Sequence, residues 1–357
     1  LRRTFALTIA YRKKGKMLKR VTLKEVANRA SVSYQTVSKV INGKAHVSAD
    51  TEARIWEAIR ALNYHPNSTA RNLRHQRSQM IGYSWRRVPS DQFNPVLEKF
   101  LQSMIETAAS CDYYILPFAF PENNAQIDVY QELIQTRRVD GFILSSTNLN
   151  DRRIQFLQQA KIPFVAFGRA NPDWDFPYID VDGSAGIVQA VNYLYNLGHR
   201  RIAIIAWPES SLAGSNRLSG YFEGMHACGI EPDPLWIARG EHSAAFGRQA
   251  TAGFLRLEAC RRPTAIIAIS DLMAVGAMLE IQDQGLEIPR DLSVIGFDDV
   301  PMAQYLRPSL TTLRQPIWEI GQLAIENLLQ QIHGESFSEK KLLPPELILR
   351  DSCTSPL

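Results

Sequence analysis

The apolar positions between residues 22 and 42 fall into two short runs of helical spacing. Leu23, Val26, Ala27 and Ala30 form the first, and Val32, Val37, Val40 and Ile41 the second. Each run repeats at the three- and four-residue intervals of one helix face. Thr22 with Glu25 three residues on predicts a capping box, and Ser33 can cap the second helix. Small residues at Ala27, Ala30 and Ser31 let the two helices cross closely. This layout predicts a helix-turn-helix, whose second helix enters the DNA major groove. Tyr34, Gln35 and Lys39 share the polar face opposite Val37 and Val40. Tyr34 and Gln35 stand where side chains reach base edges, with Gln35 suited to adenine. Thr22, Ser33, Thr36, Ser38 and Asn42 are expected to hold phosphates or cap structure. After a loop at Gly43 and Lys44, Ser48 starts a third helix with Asp50 and Glu52 in its first turn. Its stripe of Ile55, Ala58, Ile59 and Leu62 closes a three-helix core. So small a core is expected to be the least stable part of the chain.

From Met80 the pattern changes to apolar strands alternating with amphipathic helices. MIGYS, YYILPFAF, GFILSS and PFVAFG read as strands, with helices over 96–109, 125–136 and 152–160. A second set begins with PYIDV and continues through RIAIIA, AIIAIS and SVIGFD, with helices over 185–197, 217–228, 246–257 and 272–282. LLPPELILRDS reads as one last strand. Such alternation implies parallel sheets covered on both faces, here as two doubly wound lobes. The expected fold is an all-α headpiece with a hinge helix, then a two-lobed α/β core. Ligands of such cores bind at the carboxyl ends of strands, between the lobes. Trp85 and Trp207 end strands on that side and are candidates for stacking on a ligand.

Charge sharpens this division. The 357 residues carry a net +4, yet residues 1–77 hold 17 Lys and Arg against 4 Asp and Glu, a net of +13. The remainder holds 23 basic and 32 acidic residues, a net of −9. A basic end on an acidic body fits nucleic-acid binding by one module. Cys111, Cys228, Cys260 and Cys353 form no CxxC pair, so neither a metal site nor a disulfide framework is expected. No apolar run reaches the roughly 20 residues of a membrane span. The opening LRRTFALTIAYRKKGK does not read as a signal peptide. Met17 is expected to be the natural start, with the preceding residues an upstream translation or a basic arm, and the protein is expected in the cytoplasm.

VTLKEVANRASVSYQTVSKVINGKAHVS and ALNYHPNSTARNLR are followed by VDGFILSS, NLGHRRIAIIA, RPTAIIAISDLMAVGAM, SVIGFDD, LTTLRQP and LLPPELILRDS. In this order they resemble the lactose-repressor (LacI/GalR) family of bacterial transcription regulators, over about 18–352. The resemblance implies a basic extension over 1–17, a headpiece over 18–65, a hinge helix over 66–77 and a core over 78–357. In that core, 78–177 and 313–339 would form one lobe, and 178–312 and 340–357 the other, with crossings near Pro177, Thr312 and Lys340. It gives base reading to Tyr34, Gln35 and Lys39. Lys39 stands where many relatives have Arg, and a point donor is not a bidentate grip on guanine. In the hinge, Asn67 can cap a short helix, which the resemblance expects to order on the operator with Ala70 allowing close approach. By the same resemblance Leu73 would be the wedge in a base step, and Arg71 and Arg74 would hold phosphates.

The same resemblance places an effector against Arg217, Asp298, Asp271, Phe93 and Arg169, and against Ser270, where relatives often carry Asn. Arg217 is expected at the start of its helix. The Arg and Asp types suit vicinal hydroxyls, so a sugar is the expected ligand, with a purine or nucleoside, as some relatives bind, the alternative. Asp180 and Asp182 read as acids favouring a helix N-terminus rather than a catalytic pair, and His199 as a charge at a helix C-terminus. No glycine-rich phosphate loop, HExxH or GxSxG occurs, so no enzyme activity and no cofactor are expected. The expectation is a regulator, acting as a homodimer on a pseudo-palindromic operator, with the helices near Pro95 and Ala125 at the dimer surface. A sugar-binding protein of a transport system would share the core but lack the headpiece.

Overall fold

A computed structural model describes residues 21–41, 47–64, 77–85, 94–119, 126–335 and 340–356, with Trp85 followed through its backbone alone. The expectations for Met17, Asn42, Asn67, Ala70, Arg71, Leu73, Arg74 and Phe93 lie outside the described residues. The chain divides into two compact units, Leu1–Gln76 and Arg77–Leu357.

The first unit contains α1 (Leu23–Ala30), α2 (Tyr34–Ile41) and α3 (Ala49–Ala61). The capping box forms: Glu25 N–H donates to the Thr22 hydroxyl, and Thr22 N–H donates to the Glu25 carboxylate at 2.7 Å. Ser31 turns the corner in a left-handed conformation, φ 54°. Thr36 N–H donates to Ser33 Oγ at 3.0 Å, and Ser48 caps α3. Val26, Ala27, Ala30, Val37, Val40, Ile55 and Ala58 are buried together. Tyr64, beyond the expected stripe, completes this core.

The second unit begins with β1 (Met80–Trp85), α4 (Pro95–Ser110), β2 (Tyr114–Ala119), α5 (Gln126–Gln135), β3 (Gly141–Leu144), α6 (Arg152–Gln159), β4 (Phe164–Phe167) and β5 (Tyr178–Val181). It continues with α7 (Gly183–Asn196), β6 (Ile202–Ala206), α8 (Leu212–Ala227), β7 (Ile237–Arg239), α9 (Ala244–Leu255), β8 (Ala265–Ala268), α10 (Asp271–Asp283) and β9 (Ser293–Asp298). The last elements are β10 (Thr311–Arg314), α11 (Ile317–Ile332), β11 (Lys340–Leu343) and β12 (Glu346–Ile348). One sheet has the order β11-β5-β4-β3-β1-β2 and is parallel throughout. The other has the order β12-β10-β9-β8-β6-β7, parallel except for β12. Every residue of β6 and β8 is buried, as strands covered on both faces require.

Two expectations are corrected here. PYIDV, expected to open the second lobe, is β5 of the first sheet, where it pairs with β4 and β11. The single strand expected in LLPPELILRDS is two strands in different sheets. Pro344 and Pro345 separate them, and neither has an amide hydrogen to continue a ladder. The lobes are therefore joined after Val181, between Arg314 and Ile317, and between Leu343 and Glu346, rather than near Pro177, Thr312 and Lys340. A short apolar strand carries the same pattern whichever sheet receives it, and only its ladder partners decide.

The helices place the remaining parts. α8 starts at Leu212, capped by Ser211, so Arg217 lies in its second turn rather than at its start. α11 has no counterpart among the expected elements; it packs on α4, where Ser103 Oγ donates to Trp318 O at 2.6 Å. Asp182 caps α7 and accepts from Ala185 N–H at 3.0 Å. His199 is not a charged helix terminus. It is buried, its ring nitrogens 2.8 Å from Thr264 Oγ1 and Thr354 O, and burial lowers its pKa.

Candidate functional site

At the carboxyl ends of strands from both sheets lies a cavity of about 200 Å³. The first lobe contributes Ser146 and Thr147 beyond β3, Phe167 to Arg169 at the end of β4, and Asp180 of β5. The second contributes Trp207 beyond β6, Asn216 and Arg217 of α8, His242 before α9, and Asp298 at the end of β9. Gln315, on the crossing after β10, completes it.

Arg217 is the buried charge of this cavity. Its guanidinium carbon stands 3.6 Å from the Phe297 ring centroid and 4.8 Å from that of Trp207. Nη1 donates to Ile269 O at 2.6 Å, and Asp298 Oδ1 is 3.8 Å away. The planar cation thus packs over two aromatic rings, which favours Arg over Lys. Asp298 accepts from Gln315 Nε2 at 2.5 Å. Burial pushes its pKa up to about 7 against the opposing pull of Arg217, because removal from water penalises the charged form. Asp298 and Asp299 have φ of 127° and 51°, which non-glycine residues rarely adopt. This places local backbone strain at the cavity wall.

The opposite wall carries a second ion pair, Arg169 Nε to Asp180 Oδ2 at 2.8 Å. His242 lines the cavity yet stays exposed to solvent; desolvation within the cleft and the Arg217 cation both lower its pKa. Its ring centroid lies 5.0 Å from that of Trp207. The buried Trp207 Nε1 has no partner among the described residues. Each cation lining the cavity is matched by a carboxylate, so a neutral, hydroxyl-rich ligand suits it better than a phosphate dianion.

Over 333 residues the chain is 36% identical to the HTH-type transcriptional repressor CytR of Escherichia coli (strain K12), covering 93% of this chain and 96% of that relative. The chain belongs to the LacI family. The family model for bacterial regulatory proteins of the lacI family matches residues 22–67, and a periplasmic binding protein-like domain matches 191–353. A regulatory protein of LacI family from Chloroflexus aggregans is 50% identical with a TM-score of 0.75, over 77% of this chain and 99% of that one. The lac repressor dimer bound to operator and the anti-inducer ONPF is 29% identical with a TM-score of 0.79, over 94% of this chain and 100% of that one. This LacI-family chain is thus a DNA-binding regulator of transcription, and its two-lobed core has the expected periplasmic-binding-protein-like fold.

Of the eight residues expected at the effector site of this LacI-family core, Arg169, Trp207, Arg217 and Asp298 line the cavity. Ser270 and Asp271 do not. Ser270 is buried and caps α10, accepting from Met273 N–H at 3.3 Å. Asp271 accepts from Val300 N–H at 2.8 Å and from Thr312 Oγ1 at 2.5 Å, which holds the turn that carries Asp298. Trp85 ends β1, but its side chain is outside the description, as is Phe93. Asp180, His242 and Gln315 were not anticipated as site residues. Gln315 sits in the family-like LTTLRQP stretch, and His242 and Asp180 at the carboxyl ends of strands, which are the signals that mark them.

In the headpiece, Tyr34, Gln35 and Lys39 are exposed on one face of α2, opposite buried Val37 and Val40. Thr36 and Ser38 are half-buried beside them. Thr22 and Ser33 already serve as caps. No helix among the described residues is long and apolar enough to cross a membrane.

Proposed function

We propose that this chain is a cytoplasmic repressor whose operator affinity is set by a neutral sugar bound between the lobes of its core. The supporting observation is the buried Arg217–Asp298–Gln315 group, set in a cavity whose charges are already balanced. Sugar hydroxyls can donate to the Asp298 carboxylate and accept from Arg217, while Trp207 offers an apolar ring face. The protein acts by binding rather than by turnover. CytR and the lac repressor carry the comparison toward repression, and the operator complex toward paired subunits. Ile105 on α4 and Tyr114 on the edge strand β2 are exposed, as a homodimer surface near Pro95 would have them. Tyr34, Gln35 and Lys39 read bases of a pseudo-palindromic operator, and Leu73 is the minor-groove wedge. Ligand and operator then affect each other's affinity reciprocally.

The test is a thermal-shift screen of the full chain against monosaccharides, oligosaccharides and nucleosides. A ligand at about 100 times its Kd should stabilise the core by about 2.7 kcal/mol. Asp298→Asn and Arg217→Ala should both remove the shift. A shift that survives both substitutions places the ligand elsewhere and overturns the reading.

A further inference from the structure

The cavity around Arg217, termed the inner compartment, is only part of the cleft. A second cavity of about 470 Å³ adjoins it and shares Thr147, Gly168, Arg169, Asp180, Ala213 and Asn216 as a common wall. The outer compartment is walled by Trp174, Phe176 and Tyr178 of the first lobe and by Leu212 and Ser215 of α8. We infer that the effector is a neutral oligosaccharide: one ring sits in the inner compartment against Arg217 and Asp298, and at least one more sits in the outer compartment against Trp174 and Tyr178.

Three observations carry this, and the inference rests on the sugar reading of the inner cavity. The first is size. The outer compartment is more than twice the inner one, whose about 200 Å³ suits a single ring. Together they fall well within the range of about 300–1,000 Å³ typical of small-molecule sites.

The second is construction. The segment bearing Trp174 is tied down on both sides. Trp174 N–H donates to Asn171 O at 3.1 Å, Asn171 Nδ2 to Asn150 Oδ1 at 2.6 Å, and Gln158 Nε2 to Asp175 O at 2.6 Å. Tyr178 is braced by Phe176, 5.6 Å between ring centroids, and Phe176 in turn by Phe164 at 6.4 Å. An aromatic platform held in place before binding loses little freedom when a ring packs on it.

The third is chemistry. Lys340 lines the outer compartment but is already paired with Asp175 at 2.9 Å, so no unmatched charge is offered there either. Aromatic rings with hydroxyl and amide groups at Ser215, Asn216 and Asn171 match the alternating C–H faces and hydroxyl rims of pyranose rings. A nucleoside would place one flat base in a compartment far larger than a base.

The test is calorimetric titration of the full chain with glucose, galactose, xylose and mannose, with their α- and β-1,4-linked di- and trisaccharides, and with adenosine, cytidine and uridine. A di- or trisaccharide should bind at least about tenfold more tightly than its own monosaccharide. Trp174→Ala should remove that advantage and leave monosaccharide affinity unchanged. Trp174 also packs against the first lobe's second apolar cluster. Ser215→Trp, which fills the outer compartment from α8 and removes no side chain from that cluster, should give the same result. A monosaccharide that binds as tightly as its oligomers, and is lost in Asp298→Asn, overturns the two-compartment inference while the sugar reading stands. Binding of a nucleoside alone, or of nothing in the panel, overturns both.

Discussion

Arg217 and Asp298 sit 3.8 Å apart, too far for a good hydrogen bond and close enough to feel each other strongly. Desolvation nevertheless outweighs the attraction at Asp298, whose carboxyl is held near pH 7 rather than near the usual carboxylate value. Breaking a buried pair commonly costs about 3–5 kcal/mol. Here the carboxyl left behind by Arg217→Ala can take up a proton near neutrality, which softens that cost. The same poise makes ligand binding pH-dependent. Hydroxyl donors select the ionised form, and its population falls as pH drops through the raised pKa. Affinity should therefore fall about tenfold from about pH 8 to about pH 6, with a proton released on binding near neutrality. Titrations across this range should show that slope; an affinity independent of pH would contradict it. Family-like motifs made the Arg217–Asp298 pair legible in the sequence, but not His242 or Asp180. Those two sit at or just beyond the carboxyl ends of strands in different lobes, and only the folded chain brings them to one cavity. Ser270 and Asp271, which cap α10 and brace the turn after β9, show that the polar types read as ligand contacts also serve the fold.

Among the elements, α7 and α8 approach until their backbones nearly touch. A Cβ on Gly220 would lie 2.3 Å from Ser184 O and 2.7 Å from Ser184 Cα. Backbone atoms cannot yield as the end of a flexible side chain can. Gly220→Ala should thus destabilise the core by about 1–3 kcal/mol, the usual cost of overpacking, read as a lowered denaturation midpoint in urea. Gly229→Ala is a control of a different kind, strained by its φ of 69° but with nothing within 4 Å. Helical periodicity made the headpiece helices legible, since each buries one stripe, while core helices such as α10 are buried on most sides. Strand membership was not legible. Tyr178–Val181 and Lys340–Leu343 find each other across about 160 residues of chain, and no local pattern records that pairing.

At the scale of the molecule, two independent units carry two tasks. The first unit buries only a small cluster around Val37 and Ile55, whereas the second has extensive cores on its sheets. Calorimetry should therefore resolve two transitions, with the smaller at lower temperature. A saturating sugar should raise only the larger one in the absence of DNA; coincident transitions would contradict this division. The placement of β11 has a further consequence for synthesis. The first lobe cannot complete its sheet until residues 340–343 arrive to pair with Tyr178–Val181, nor cover α4 until α11 has been made. As the chain leaves the ribosome, its first half waits with an open strand edge while the second lobe is translated. During that interval an exposed edge invites pairing with other chains. Until residues 317–343 emerge, nascent chains therefore carry an open edge at β5 and an uncovered α4.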